Sequence, residues 1–143
     1  MKEATSGVRY DQRDYVHQRI DKRLSAITIA KFNMRVDAWY LLLDDMYSEV
    51  HVYLPADFCK EIYEILSAIR ARIYDNRFVR LRNTPSQKAR VLYNNGLNEI
   101  IVDLSSTQNR LMMEMKKQKM LLPIEAKKNY GSLLGEEEDS YVA

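Results

Sequence analysis

The sequence predicts an all-α protein, a four-helix bundle with an extended C-terminal tail. Three observations lead there. Glycine (4) and proline (3) are scarce across 143 residues, whereas a β-sandwich or barrel needs a turn signal about every 8–12 residues. Apolar residues recur at helical spacing in four stretches. Apolar residues at 46% and charged residues at 29% mark a globular chain, of a length that suits one domain. The expected division is a bundle over 1–124, with helices near 12–32, 35–54, 55–79 and 85–120, and a tail over 125–143.

The first helix is read from Val16, Ile20, Leu24 and Ile27, which form one apolar stripe among Arg13, Arg19, Lys22 and Arg23. No strong stop signal follows, so its boundary near Asn33 is soft. In the second, Val36, Tyr40, Leu43, Tyr47, Val50 and Leu54 alternate gaps of four and three, and Trp39, Leu42 and Met46 widen the stripe. A face this broad predicts a helix touching two neighbours. "VHVYL" could be a short strand, but it continues the helical spacing.

Pro55 then interrupts, and proline suits the first turn of a helix, where an N–H would be unpaired anyway. Phe58, Ile62, Ile65 or Leu66, Ile69 and Ile73 face inward on the third helix. In "RLRNTPSQKAR", Thr84 is the expected N-cap and Pro85 the first helical residue. The fourth helix carries Leu97, Ile100, Ile101, Leu104, Leu111 and Met115 to about Met120. Its "YNNGL" is turn chemistry that predicts a bend or interruption.

Composition and spacing argue against several function classes. The longest apolar run, Ala38 to Leu43, falls far short of the roughly 20 residues that span a bilayer, and no apolar signal-peptide stretch opens the sequence. The expectation is a soluble protein made in a cytoplasm. Cys59 alone supports neither a disulfide framework nor a multi-Cys zinc site. His17 and His51 are far apart and lack ligand partners nearby, and "EIYE" at Glu61–Glu64 lacks the histidine of a bundle di-metal motif. Asp44, Asp45 and Glu49 form a carboxylate group better read as acidic surface than as a catalytic or metal site. Cys59, near a helix N-terminus that can lower a thiol pKa, is better read as a small buried residue. With no phosphate loop or nucleophile elbow, the sequence predicts no enzyme, no cofactor, no metal and no small-molecule substrate.

A net charge of +2 hides blocks of charge. From Asp37 to Glu64 the acids outnumber Lys60 alone. From Arg70 to Arg90 the bases Arg70, Arg72, Arg77, Arg80, Arg82, Lys88 and Arg90 oppose only Asp75. A further basic block spans Arg110 to Lys128, and Glu136 to Asp139 close the pattern. Three readings follow: an arginine cluster that grips phosphates, complementary faces that dock copies of the chain heterologously, or solvated helical surfaces.

The tail "YGSLLGEEEDSYVA" can be a frayed terminus. Yet Tyr130, Leu133, Leu134, Tyr141 and Val142 are costly to leave in water, and one buried Leu is worth roughly 1.5–3 kcal/mol. Gly131 and Gly135 let the backbone bend into and out of a neighbour's groove. These residues are therefore the candidate subunit-interface tail, although folding back on the parent bundle is also open.

Taken together, the four helical stretches, the "LPADF" and "NTPSQ" joints and the apolar extension resemble the major coat proteins of the large tailed spindle-shaped viruses of hot-acid archaea, the Acidianus tailed spindle and two-tailed virus group. The charged and compact apolar composition leans the same way, toward a thermophile. The resemblance implies a capsid subunit, located in the virion and made in the host cytoplasm, that polymerises around viral double-stranded DNA without a cofactor. It also implies an alternative, a virus-encoded DNA- or RNA-polymerase-binding regulator on the same bundle.

Overall fold

The computed structural model describes residues 2–120, with side chains described from Val16 onward. The candidate tail lies outside the described residues. The described chain is all-helical, without a β-strand, and it holds five α-helices where four were expected. They are α1 (Lys2–Phe32), α2 (Val36–Val50), α3 (Ala56–Ile73), α4 (Asn76–Asn83) and α5 (Gln87–Lys117), with a 3-10 turn at His51–Tyr53.

The first helix starts about ten residues before its expected start near residue 12, because a helix can continue where the amphipathic signal stops. Its end is sharp. Met34 adopts a left-handed φ of 57°, and the Arg35 N–H reaches back to the Ala30 carbonyl at 2.9 Å, the 6→1 bond of a Schellman stop. Glycine is the residue usually recruited there, so its absence had hidden the boundary.

On α2, Val36, Trp39, Tyr40, Leu43, Met46, Tyr47 and Val50 are all buried. The broad stripe touches α1, α3 and α5, one neighbour more than expected. The continuous helix expected through Leu54 tightens instead at His51–Tyr53, and Leu54 turns extended (φ −106°, ψ 155°). The cause is Pro55, whose ring disfavours helical backbone at the preceding residue. Pro55 itself is the N-cap of α3 and not its first helical residue.

The third expected helix is two helices. Ile62, Leu66, Ile69 and Ile73 form the buried stripe of α3, after which the chain turns at Tyr74 and Asp75. The Asp75 carboxylate accepts from the Arg77 N–H at 2.7 Å and starts α4. Thr84 is not the next N-cap: its hydroxyl donates to the Arg80 carbonyl at 2.6 Å and closes α4. Ser86 caps α5 instead, accepting from the Ala89 N–H at 3.1 Å.

Helix α5 runs unbroken through "YNNGL". Glycine at 96 serves packing, since a Cβ there would lie 3.3 Å from the Phe78 ring of α4. Ile100, Leu104, Leu111 and Met115 bury against the core with Trp39, Leu43, Met46 and Ile62. Two ion pairs, Glu61 with Arg110 and Arg72 with Asp103, match α3 to α5 in opposite order and so make them antiparallel.

Candidate interaction surfaces

The basic stretch of the sequence is held in place by α4. Phe78 stacks on Tyr93 of α5 with ring centroids 4.8 Å apart, an offset-stacking distance, and the same ring lies over Gly96. This clamp lays α4 along the N-terminal half of α5 and leaves Arg77, Arg80 and Arg82 exposed. The Ser86 cap then starts α5 so that Lys88 and Arg90 are exposed in its first turns. Among the described residues, no salt bridge engages any of these five bases. They form an open cationic corner able to meet phosphates or carboxylates.

Arg70 and Arg72, grouped with them in the sequence, are placed differently. Arg72 is half-buried and pairs with Asp103 on α5. Arg70 lies close enough to Asp44 and Tyr40 on α2 to oppose the rise of both pKa values. Burial raises the Asp44 carboxyl above the ordinary value, the neighbouring Asp45 raises it further, and Arg70 partly offsets them. Sequence order alone could not separate these two arginines from the other five bases, because their partners sit on other helices.

Part of the acidic block is likewise consumed inside the chain. Glu49 on α2 receives Arg19 at 3.2 Å and also Arg23, one turn apart on α1. Glu61 receives Arg110 at 2.7 Å. Asp44, Asp45 and Glu49 therefore do not converge: Glu49 leans to α1 and Asp44 toward Arg70 of α3. The i,i+4 arginines of α1 were the available signal for this contact.

Cys59 is half-buried near the start of α3, with its thiol 3.3 Å from the His51 carbonyl. Its own carbonyl accepts from the Tyr47 hydroxyl at 2.9 Å. Burial, then Cys59, pushes the Tyr47 phenol upward. Buried His17 Nδ1 has no hydrogen-bond partner among the described residues. Among the described residues, no group of three His, Cys, Asp or Glu is arranged to hold a metal ion, and no helix is long and apolar enough to cross a membrane. Tyr130, Leu133, Leu134, Tyr141 and Val142 lie outside the described residues. Compared with known proteins, the chain matches no family model, no curated protein and no solved structure.

Proposed function

We propose that this chain is a self-assembling coat subunit of a virion, a four-helix bundle elaborated by α4, which packs head-to-tail through its C-terminal tail and encloses viral double-stranded DNA. The observation that carries the reading is the open cationic corner at Arg77, Arg80, Arg82, Lys88 and Arg90, in a chain whose last residues join Leu133 and Leu134 to the acids Glu136 to Asp139. A neighbour's tail supplies both groups such a corner lacks: carboxylates for the guanidinium groups and apolar side chains that gain from leaving water. Phosphates of enclosed DNA can meet the bases that a tail leaves open.

The test compares the full chain with Leu133→Asp/Leu134→Asp and with a chain stopped after Lys128, by light scattering and electron microscopy across concentration and acidity. Assembly by the full chain and its loss in both variants is the expected result. A full chain that stays monomeric under every condition, or variants that assemble equally well, overturns the proposal.

The same corner favours a second reading, a regulator that binds DNA or RNA polymerase. Replacing Arg77, Arg80 and Arg82 by Ala then weakens DNA binding and flattens its salt dependence by about one unit for each phosphate no longer engaged. Absence of DNA binding at the outset removes the DNA form of this reading.

A further inference from the structure

The outward face of α5 carries an uncharged stripe. Val91, Val102 and Met113 are 54%, 65% and 65% exposed, and each follows the last by eleven residues. Eleven residues make just over three turns, so the three side chains lie close to one line of a straight helix. The exposed positions between them on that line are Asn95, Asn98, Ser106 and Asn109. No charge interrupts the line between Lys88 and Lys116, and the uncharged stripe from Val91 to Met113 covers about 33 Å of helix at 1.5 Å per residue. In a chain with 29% charged residues, a solvent-facing helical stripe is normally where charge accumulates.

The order along the stripe is palindromic in chemistry. Counting outward from Val102, Asn98 corresponds to Ser106, Asn95 to Asn109 and Val91 to Met113. A parallel pair of helices matches any sequence with itself, so this symmetry has meaning only for an antiparallel pair related by a two-fold axis. We propose that the outward face of α5 is an isologous interface, on which a second copy of this chain lays its own α5 antiparallel, with Val102 against Val102 at the two-fold axis. Apolar residues then meet apolar residues at the centre and both ends. Between them the side-chain amides face an amide or a hydroxyl, each able to donate or accept.

Polar pairs inside an apolar helix seam also favour this register: shifts of four or seven residues set an amide against Val or Met, and a shift of eleven shortens the matched seam. Charge favours the antiparallel sense. Glu99 and Arg110 lie on the same edge of the stripe, and the two-fold axis brings Glu99 of each copy within about 8 Å, measured along the helix, of the other copy's Arg110. Arg110 already holds Glu61 of its own chain at 2.7 Å, and a guanidinium has donors enough for both carboxylates. The opposed macrodipoles add to the preference. The like-charged Lys88 and Lys116 bound the seam at its ends. This contact does not use the tail, and it meets the cationic corner only at Lys88. A two-fold contact and a head-to-tail contact on one subunit together generate an extended lattice.

The experiment uses the full chain with Cys59→Ser and single cysteines introduced by Val91→Cys, Val102→Cys or Met113→Cys. Mild oxidation is expected to link Val102→Cys chains to one another. Val91→Cys chains are expected to link poorly among themselves but readily when mixed with Met113→Cys chains. In sedimentation, Val102→Asp is expected to weaken dimerisation at least about tenfold, from two carboxylates meeting at the axis, while Leu133→Asp/Leu134→Asp leaves the dimer intact. Circular dichroism of each variant verifies the fold, which these exposed positions do not support. Self-linking of Val91→Cys equal to that of Val102→Cys indicates a parallel or random encounter and overturns the proposal. So does a monomer at every concentration, whether its Val102→Cys thiol reacts freely with a maleimide or is shielded by the chain's own C-terminal segment.

Discussion

Trp39 on α2 donates its indole N–H to the side-chain carbonyl of Gln108 on α5, 2.8 Å away. The tryptophan is 1% exposed, so this bond is the polar link between the two helices that contribute most to the core. Removing the acceptor leaves a buried donor without a partner. Gln108→Leu is expected to cost about 1–3 kcal/mol in urea unfolding followed by the fluorescence of this single tryptophan. Trp39→Phe combined with Gln108→Leu, followed by circular dichroism because the tryptophan is gone, should cost less than the sum of the two single changes, since both members of the bond are then absent.

The ion pairs are not equivalent. The side chains of Arg23 and Glu49 are 20% and 16% exposed, whereas those of Arg72 and Asp103 are 38% and 45% exposed. Solvent screening therefore separates them. A double-mutant cycle on Arg23 and Glu49 is expected to give a coupling of about 1–3 kcal/mol, and one on Arg72 and Asp103 about 0.2–1 kcal/mol. Equal couplings, measured by chemical denaturation, would contradict the stronger shielding of the Arg23–Glu49 pair.

Asp44 gives a pH dependence of definite sign. Burial first, then Asp45, raise its pKa above 3.8, against the opposing pull of Arg70. The folded state therefore binds this proton more tightly than the unfolded state. Stability falls as pH rises from the ordinary carboxylate value through the raised folded value. Asp44→Asn should remove this contribution and stabilise the protein near neutrality. Arg70→Ala should enlarge it, because the favourable charge is lost. Urea midpoints between about pH 4 and 7 report both changes, and an Asn variant with the wild-type slope would contradict them.

The clamp that positions α4 is testable through Gly96. In a helix interior, Gly→Ala stabilises by about 1 kcal/mol, but here the added methyl meets Phe78 at 3.3 Å. Gly96→Ala is expected to stabilise more in a Phe78→Ala background than in the wild type, where the ring must give way. Thermal unfolding of the four proteins in this cycle checks it. Phe78→Ala should also loosen α4, and with it the register of Arg77 and Arg80, weakening binding to a polyanion without changing net charge.

The apolar periodicity determined the helical class and most of the core by itself. Val16, Ile20, Leu24 and Ile27 on α1, the wide stripe of α2, and Leu97 to Met115 on α5 occupy the faces that their spacing dictates, because burial of an amphipathic stripe is the dominant local demand. Periodicity could not divide α3 from α4, since the stop at Asp75 is a single side chain capping one N–H. It also could not see the left-handed turn at Met34, where the hydrogen bonds of the Schellman stop hold a residue that lacks the freedom of glycine.

Charge was the least legible property, since a linear map records which charges exist and not which ones meet. Only the packing of α1 on α2 and of α3 on α5 brings Arg19 and Arg23 to Glu49, Arg72 to Asp103 and Arg110 to Glu61. The bases left outward on α4 and early α5 are among those that these pairings leave open. The sequence alone thus determined most of the residues that leave water, a property of short-range spacing. The tertiary structure decided which charges stay open, because ion pairing depends on distances between helices remote in sequence.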